Sequence, residues 1–274
     1  MCKVLGVSRS GYYKYLKQEK AQQERTLKEK SLLAKIKTIH ADSKGRYGSP
    51  RIHHQLKNDG VICNHKTIEK IMAKNGIHAK KKRKFRTTTD SNHKFKINEN
   101  LLNRKFKVEQ PNDVWCSDIT YVWTDEGWLY LSVFIDLFSR QVIGWSLQPN
   151  MKSEMVIAAF KMAVLKRGGA CSILHSDRGV QYASTAFRDA LKPYKSYCKQ
   201  SMSRKGNCWD NAPSESFFST LKNELIHLEK FKTREEAKLK IFEYIEVFYN
   251  RQRLHSTLNY LSSKKFEDLY LQVA

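Results

Sequence analysis

Three things are scarce in this 274-residue chain: acidic residues, paired cysteines and long apolar runs. Asp and Glu number 27 against 50 Lys and Arg, leaving a net charge of +23. The imbalance is local, because residues 1–110 carry 28 basic and 9 acidic side chains whereas residues 111–274 carry 22 and 18. So localised an excess suits a polyanion rather than an acidic small molecule, since each Lys or Arg that neutralises a phosphate releases counterions. Nucleic acid is the leading partner, and an ordinary charged surface is the plain alternative. The six cysteines, at 2, 63, 116, 171, 198 and 208, form no CxxC pair and have no His pair at finger spacing. Neither a structural zinc site nor a disulfide framework is indicated, and a reducing cytosol fits. The longest apolar stretch, WLYLSVFIDLF, is interrupted by Asp136 and is too short to span a bilayer. The start, MCKVLGVSRSGYYKYLK, has no apolar core of signal-peptide length.

What is present falls into successive textures. Residues 2–17 read as the second half of a helix-turn-helix, with Gly6 in the turn and Ser8 capping a helix that bears Tyr12, Tyr13 and Leu16, or else as a surface helix. A polar helix over 24–40 leads to two short helices, Pro50 to Lys57 and Lys66 to Lys74, around a turn with Gly60. Ile52, Leu56, Ile68, Ile71 and Met72 recur in them at helical spacing. This predicts a small three-helix domain of winged-helix or helix-turn-helix type, a pattern that any two short amphipathic helices imitate. Six of the seven positions 80–86 are basic, a linker that is either a solvated tether or lies along phosphates.

From residue 111 the chain turns aromatic and β-branched. Strands are predicted over 113–124, 128–138 and 141–147, an antiparallel meander with short turns. A helix starting at Ser153 and stopped by Gly168-Gly169 leads to the strand CSILHSD, so strand, helix and strand add a parallel member and the core is α/β with a mixed sheet. A helix over 185–191, a strand near 196–200, the loop SRKGNCWDNAP, a long helix from about Ser214 and helical stretches at 233–250 and 263–271 complete the reading. The expected division is 1–20, a partial helix-turn-helix; 21–78, a helical domain of the helix-turn-helix, DNA-binding type; 79–110, a basic linker; 111–229, the mixed-sheet core; and 230–274, a helical extension.

Three carboxylates stand out. Val114, Cys116, Asp118, Thr120 and Val122 share a strand face, which puts Asp118 mid-strand among half-buried neighbours, where an isolated carboxylate is expensive without donors or a cation. Asp177 ends a parallel strand, the edge where such sheets present a ligand crevice. Glu215 opens a helix with Ser219 and Lys222 on its own face, while Phe217, Phe218, Leu221 and Leu225 point elsewhere. Singly, each acid has an ordinary role: satisfying local donors, capping a helix or favouring a helix start. Together, on two strands and a helix of one sheet, they suit two-metal phosphoryl chemistry.

VLGVSRSGYY, YGSPRIHHQL, DVWCSDITYV, LYLSVFIDLFSRQVIGWSL, HSDRGVQYAS, SMSRKGNCWDNAPSESFFSTLKNEL and FYNRQRLHSTLNY occur in this order. They resemble the blocks of the insertion-sequence transposases of the retroviral integrase superfamily, of the type encoded by a second open reading frame. The resemblance spans nearly the whole chain. It implies an RNase H-like core, a DDE triad of Asp118, Asp177 and Glu215 holding two Mg²⁺ (or Mn²⁺) ions, and Lys222 as the basic residue that contacts the element's end. DNA contacts are further expected at Arg46, Tyr47, Arg51, Lys66, Lys70, Lys81, Lys82, Arg83, Lys84, Arg204, Lys205, Arg251, Arg253 and His255. Expected partners are element-end and target DNA, at least one more copy of the chain, and an upstream-frame protein that supplies the missing helix-turn-helix part. The expected location is the bacterial cytoplasm, on the nucleoid. Two departures from the family pattern stand out: 37 residues separate Asp177 from Glu215 where about 35 are usual, and LSSKKFE lacks the common proline.

The expected chemistry is in-line, metal-assisted cleavage and strand transfer without a covalent intermediate. Hard oxygen ligands favour Mg²⁺ or Mn²⁺ over zinc. The alternatives are an inactive protein that only binds element ends, and a nuclease that cuts without joining. His175 could orient a ligand or merely pack, Asn250 with its basic neighbours could touch DNA or cap a helix, and Asp136 is expected to pair with Arg140.

Overall fold

The computed structural model describes residues 2, 4, 6–80, 95 and 97–273. They fall in two units, Met1–Lys81 and Lys82–Ala274. In the first, α1 (Arg9–Asp42) begins at Ser8, whose hydroxyl accepts from the Gly11 N–H at 3.1 Å. It then runs unbroken to Ser43, where the sequence suggested two separate pieces. No Gly or Pro occurs between Tyr12 and Ser43, so nothing ends the first piece before the second begins. Pro50 sits in the first turn of α2 (Ser49–Asn58), and the Asn64 side chain caps α3 (His65–Lys74) by accepting from the Lys66 N–H at 2.8 Å. Ile36, Ile52, Leu56, Ile68, Ile71 and Met72 are buried and close the three helices on one another. These are the apolar positions marked by helical spacing, with Ile36 added.

In the second unit β1 (Val114–Thr124), β2 (Gly127–Asp136) and β3 (Val142–Gln148) form the expected antiparallel meander. α4 (Ser153–Arg167) then crosses the sheet, and β4 (Ile173–Ser176) returns parallel to β1. α4 ends at Gly168, left-handed with φ 72°, the conformation that lets glycine stop a helix. The short α5 (Val180–Ala183) and α6 (Thr185–Leu191) lead to β5 (Lys199–Met202), parallel to β4, giving the order β3-β2-β1-β4-β5. α7 (Ala212–Glu224), α8 (Arg234–Phe242) and α9 (Ser263–Val273) follow. Where one helix over 233–250 was expected, α8 widens into a π-helical stretch, Glu243–Tyr249.

Trp115, Phe134 and Ile143 of the sheet meet Val156, Phe160 and Ala163 of α4 in the core. The helix lies close because Gly144 has no side chain: a Cβ there would collide with the Ala159 carbonyl oxygen and come within 2.7 Å of Ala163 N. Truncating Phe160 to Ala would cost about 3–5 kcal/mol, the usual price of emptying an aromatic site. The outer edge of β3 is covered by Asn250, whose amide accepts from the Val142 N–H and donates to the Val142 carbonyl, both at 2.9 Å. Asp136 does not pair with Arg140. Arg140 turns away with φ 60° and donates to the Phe106 carbonyl at 3.0 Å. Asp136 instead accepts from the Asn112 and Phe138 N–H groups, both at 3.0 Å, and meets Arg167 of α4 at 3.2 Å. Among the described residues no helix is long and apolar enough to cross a membrane.

Candidate active site

The sheet order explains where the three acids meet. β4 pairs with β1 only through Val114, Trp115 and Cys116, so from Ser117 onward that side of β1 is released from the sheet. Asp118 lies just past the release, half-buried, with Oδ1 accepting from the Ile119 N–H at 2.8 Å. Asp177 directly follows the last residue of β4, at the carboxyl edge of the parallel pair. Its Oδ1 accepts from the Gly179 N–H at 2.9 Å. A Cβ on Gly179 would itself sit 2.9 Å from that oxygen, so the turn tolerates no side chain while the carboxylate keeps its place. Glu215 is in the first turn of α7, the helix that packs against β1.

The loop from β5 into α7 is held by one buried carboxylate. Asp210 accepts from the Arg204 backbone N–H at 2.9 Å, the Arg204 guanidinium at 2.9 and 2.7 Å, Arg104 Nε at 2.8 Å and Asn100 Nδ2 at 2.9 Å. These donors, Arg204 first, hold its pKa well below the usual carboxylate range. Next along, Asn211 Nδ2 donates to the Ser117 carbonyl at 3.3 Å, tying the loop's end to the residue before Asp118.

The acids face the opposite environment. Asp118 is driven well above the ordinary value, by burial first, then by the negative charge of Asp177 and, less, of Glu215; the Ile119 N–H and Lys222 oppose the shift. Burial also raises Glu215. Side chains from two strands and a helix therefore share one field. Lys222 is buried, and its ammonium lies 4.8 Å from the centre of the Tyr121 ring. Burial lowers its pKa to about 8 against the pull of Asp118. Beneath the acids, the buried Tyr182 hydroxyl meets Ser117 Oγ at 2.8 Å, and Ser117 Oγ donates to the Val133 carbonyl at 2.8 Å. Burial and then Asp118 and Asp177 push the phenol pKa up, which keeps it neutral.

Among the described residues no three His, Cys, Asp or Glu side chains converge closely enough to hold one ion jointly. The chemistry of the three acids nevertheless suits hard divalent cations. All the donors are hard carboxylate oxygens, and the repulsion that Asp118 feels from Asp177 and Glu215 is what a cation between them relieves.

The expected DNA contacts separate into surface and interior. Lys66, Lys70, Lys205 and Arg251 are exposed. Arg51 is half-buried, its guanidinium 5.6 Å from the Tyr47 ring centre. Lys81, Lys82, Arg83 and Lys84 lie outside the described residues. Arg46 and Tyr47 are buried, against expectation. Arg253 and His255 are buried too. Arg253 pairs with Glu224 through Nη2 at 2.9 Å and Nε at 3.0 Å, and His255 packs edge-on against Tyr249 at 4.8 Å. Arg253 thus ties the C-terminal segment to α7, and His255 packs it on the π-helical stretch. Arg204 is exposed but commits its guanidinium to Asp210. His175 is a packed residue: its ring nitrogens meet Ser201 Oγ at 2.9 Å and Ser203 Oγ at 3.2 Å, and burial lowers its pKa to about 4.

Sequence reasoning passed over Gly179, Tyr182 and Asp210. The first had a signal, since a glycine two residues after a strand-ending Asp marks a tight turn beside that carboxylate. The other two act through partners far away in the chain, which spacing does not reveal.

Family models match in three places: an integrase core domain over residues 108–208, a second integrase core domain over 215–271, and an HTH-like domain over 26–85. Over 275 residues the chain is 42% identical to the "Insertion element IS600 uncharacterized 31 kDa protein" of Shigella sonnei, covering 100% of each. Over 269 residues it is 41% identical to the "Transposase InsF for insertion sequence IS3A" of Escherichia coli (strain K12), covering 98% of this chain and 93% of that one. Among solved structures, a simian T-cell lymphotropic virus intasome in complex with the PP2A regulatory subunit B56 gamma is 15% identical with a TM-score of 0.48, over 85% of this chain and 74% of that chain. An α/β integrase core preceded by an HTH-like domain, with near full-length identity above 40% to such relatives, makes the chain a member of the IS3-type insertion-sequence transposase family.

Proposed function

We propose that the chain cuts DNA at the ends of an insertion sequence and joins them to target DNA, with Asp118, Asp177 and Glu215 as the catalytic acids. The observation that supports this is the field that Asp118 on β1 shares with Asp177, just past β4, and Glu215, in the first turn of α7. Asp118 feels both other acids, and Asp118, Asp177 and Glu215 would together hold the divalent cations. Mg²⁺ or Mn²⁺ ions bound there supply an activated water or 3′-OH and stabilise the leaving oxygen. The Asp210 clamp holds the approach to Glu215, Gly179 leaves room for the Asp177 carboxylate, and Lys222 offers positive charge to a phosphate beside Asp118. The strongly basic residues 1–110 bring the core to DNA by contacts that position without specifying sequence. Acting on two ends calls for at least two copies of the chain, and an upstream-frame partner would extend the helical unit.

The test is strand cleavage and joining on labelled element ends with Mg²⁺, native chain against Asp118→Asn. Native protein is expected to give both cleaved and joined products, and the variant to lose on the order of 10³-fold or more. Equal activity in the two would overturn the assignment. Cleavage of arbitrary duplexes without joining would make the chain a nuclease, and no cleavage by either would make it an end-binding protein.

A further inference from the structure

Three aromatic rings stand at the surface beside the acid cluster, where core packing gives no reason for them. Tyr121, Trp123 and Trp128 are 37%, 54% and 42% exposed. The strand register brings them together: Trp123 pairs with Trp128 across β1 and β2, and Tyr121 is two residues before Trp123 on the same face. Further down β1 that face carries Trp115 into the core under α4, and beyond Ile119 it opens to solvent. Trp128 sits edge-to-face with both neighbours, its ring centre 5.1 Å from Tyr121 and 4.8 Å from Trp123. Mutual packing makes the rings a stiff strip, which costs little entropy to present.

The strip's position relates it to the acids. Tyr121 is three residues from Asp118, about 10 Å along β1 and on the opposite strand face, where the edge that β4 leaves free lies between them. Lys222 connects the two, interacting with Asp118 and lying 4.8 Å from the Tyr121 ring centre. At the hairpin turn, Arg234 Nη2 lies 3.2 Å from where a Cβ on Gly127 would sit. The strip thus has Lys222 near one end and Arg234 near the other, the latter beside Glu126, which accepts from the Arg234 N–H at 2.8 Å. A nucleic-acid strand would meet these cations with phosphate and the rings with bases, whereas the near-balanced core of a second copy, 22 basic against 18 acidic residues over 111–274, offers them no such excess of negative charge.

We propose that Tyr121, Trp123 and Trp128 form a stacking platform for unpaired nucleobases of the DNA strand whose reacting phosphate lies at the acids. The proposal rests on the DNA-transferring function above. Stacking is tolerant of base identity, so the platform favours frayed or single-stranded ends over paired ones, whatever their sequence.

The test uses the full chain and two probes that share one duplex sequence, a blunt duplex and a fork whose short single-stranded tail carries 2-aminopurine. Native protein is expected to change the tail's fluorescence and to prefer the fork. Trp123→Ala and Trp128→Ala are expected to weaken fork binding about tenfold while blunt-duplex binding, circular dichroism and oligomeric state stay as in the native chain. Trp123→Phe is expected to restore most of the loss. Fork binding unchanged in both alanine variants overturns the proposal. So does a change of oligomeric state with the fork-to-duplex ratio preserved, which would make the face a contact between copies. If the native chain binds neither probe, the DNA function itself fails and the platform with it; native binding to both without preference overturns the platform alone.

Discussion

Asp118 and Asp210 are both shielded acids of the same core, and their surroundings are opposites. Asp210 is wrapped by donors from Arg204, Arg104 and Asn100 and stays ionised far below neutral pH. Asp118 has one backbone donor, two carboxylates nearby and Lys222 as partial relief, so its charge is disfavoured. The first carboxylate is complete within the protein and stabilises a loop. The second is uncompensated within the protein, the setting in which a fold reserves a position for a ligand at the expense of its own stability.

The largest effect that would sharpen this contrast comes from Gly179→Ala. Its Cβ would press on Asp177 Oδ1 at 2.9 Å, so strand cleavage is expected to fall roughly 100-fold with little change in melting temperature. Undiminished cleavage would show that the position of Asp177 does not matter. Next come paired substitutions of opposite sign, followed by thermal unfolding at neutral pH in a chelator. Asp210→Asn is expected to cost about 1–3 kcal/mol by leaving arginine donors unmatched, whereas Asp118→Asn is expected to add about 0.5–2 kcal/mol by removing a repelled charge. Two substitutions of the same sign would break the comparison. The smallest effect belongs to Lys222. Its folded pKa of about 8 is below the ordinary lysine value, so it carries its charge below pH 8 and loses it as pH rises through that value. Metal-free affinity for a DNA end is expected to drop several-fold between about pH 7 and pH 9, and Lys222→Arg to flatten the profile.

Much of the fold could be read from the sequence because the relevant patterns are local. Period-two alternation located β1 to β3, Gly168 marked the stop of α4, and the positions of Asp118, Asp177 and Glu215 on strand, strand end and helix start agree with the structure. Features that depend on distant partners were not legible. Asp136 reaches Arg167 on another element because the left-handed turn at Arg140 carries the nearer cation away. Arg253 and His255 look like surface cations in NRQRLHS, yet they are buried against Glu224 and Tyr249, residues that spacing does not connect to them. Alternation also marked Tyr121, Trp123 and Trp128 as strand residues, but an aromatic residue reads the same whether its face is covered or open, and only the end of α4's cover exposes them.

The central claim is that Asp118, Asp177 and Glu215 are a cation site in waiting, and Mn²⁺ titration of the full chain followed by calorimetry addresses it most directly. The native protein is expected to bind Mn²⁺, with Mg²⁺ competing, and Asp118→Asn to lose that binding while Asp210→Asn retains it. Equal Mn²⁺ binding by the native chain and Asp118→Asn would contradict the claim.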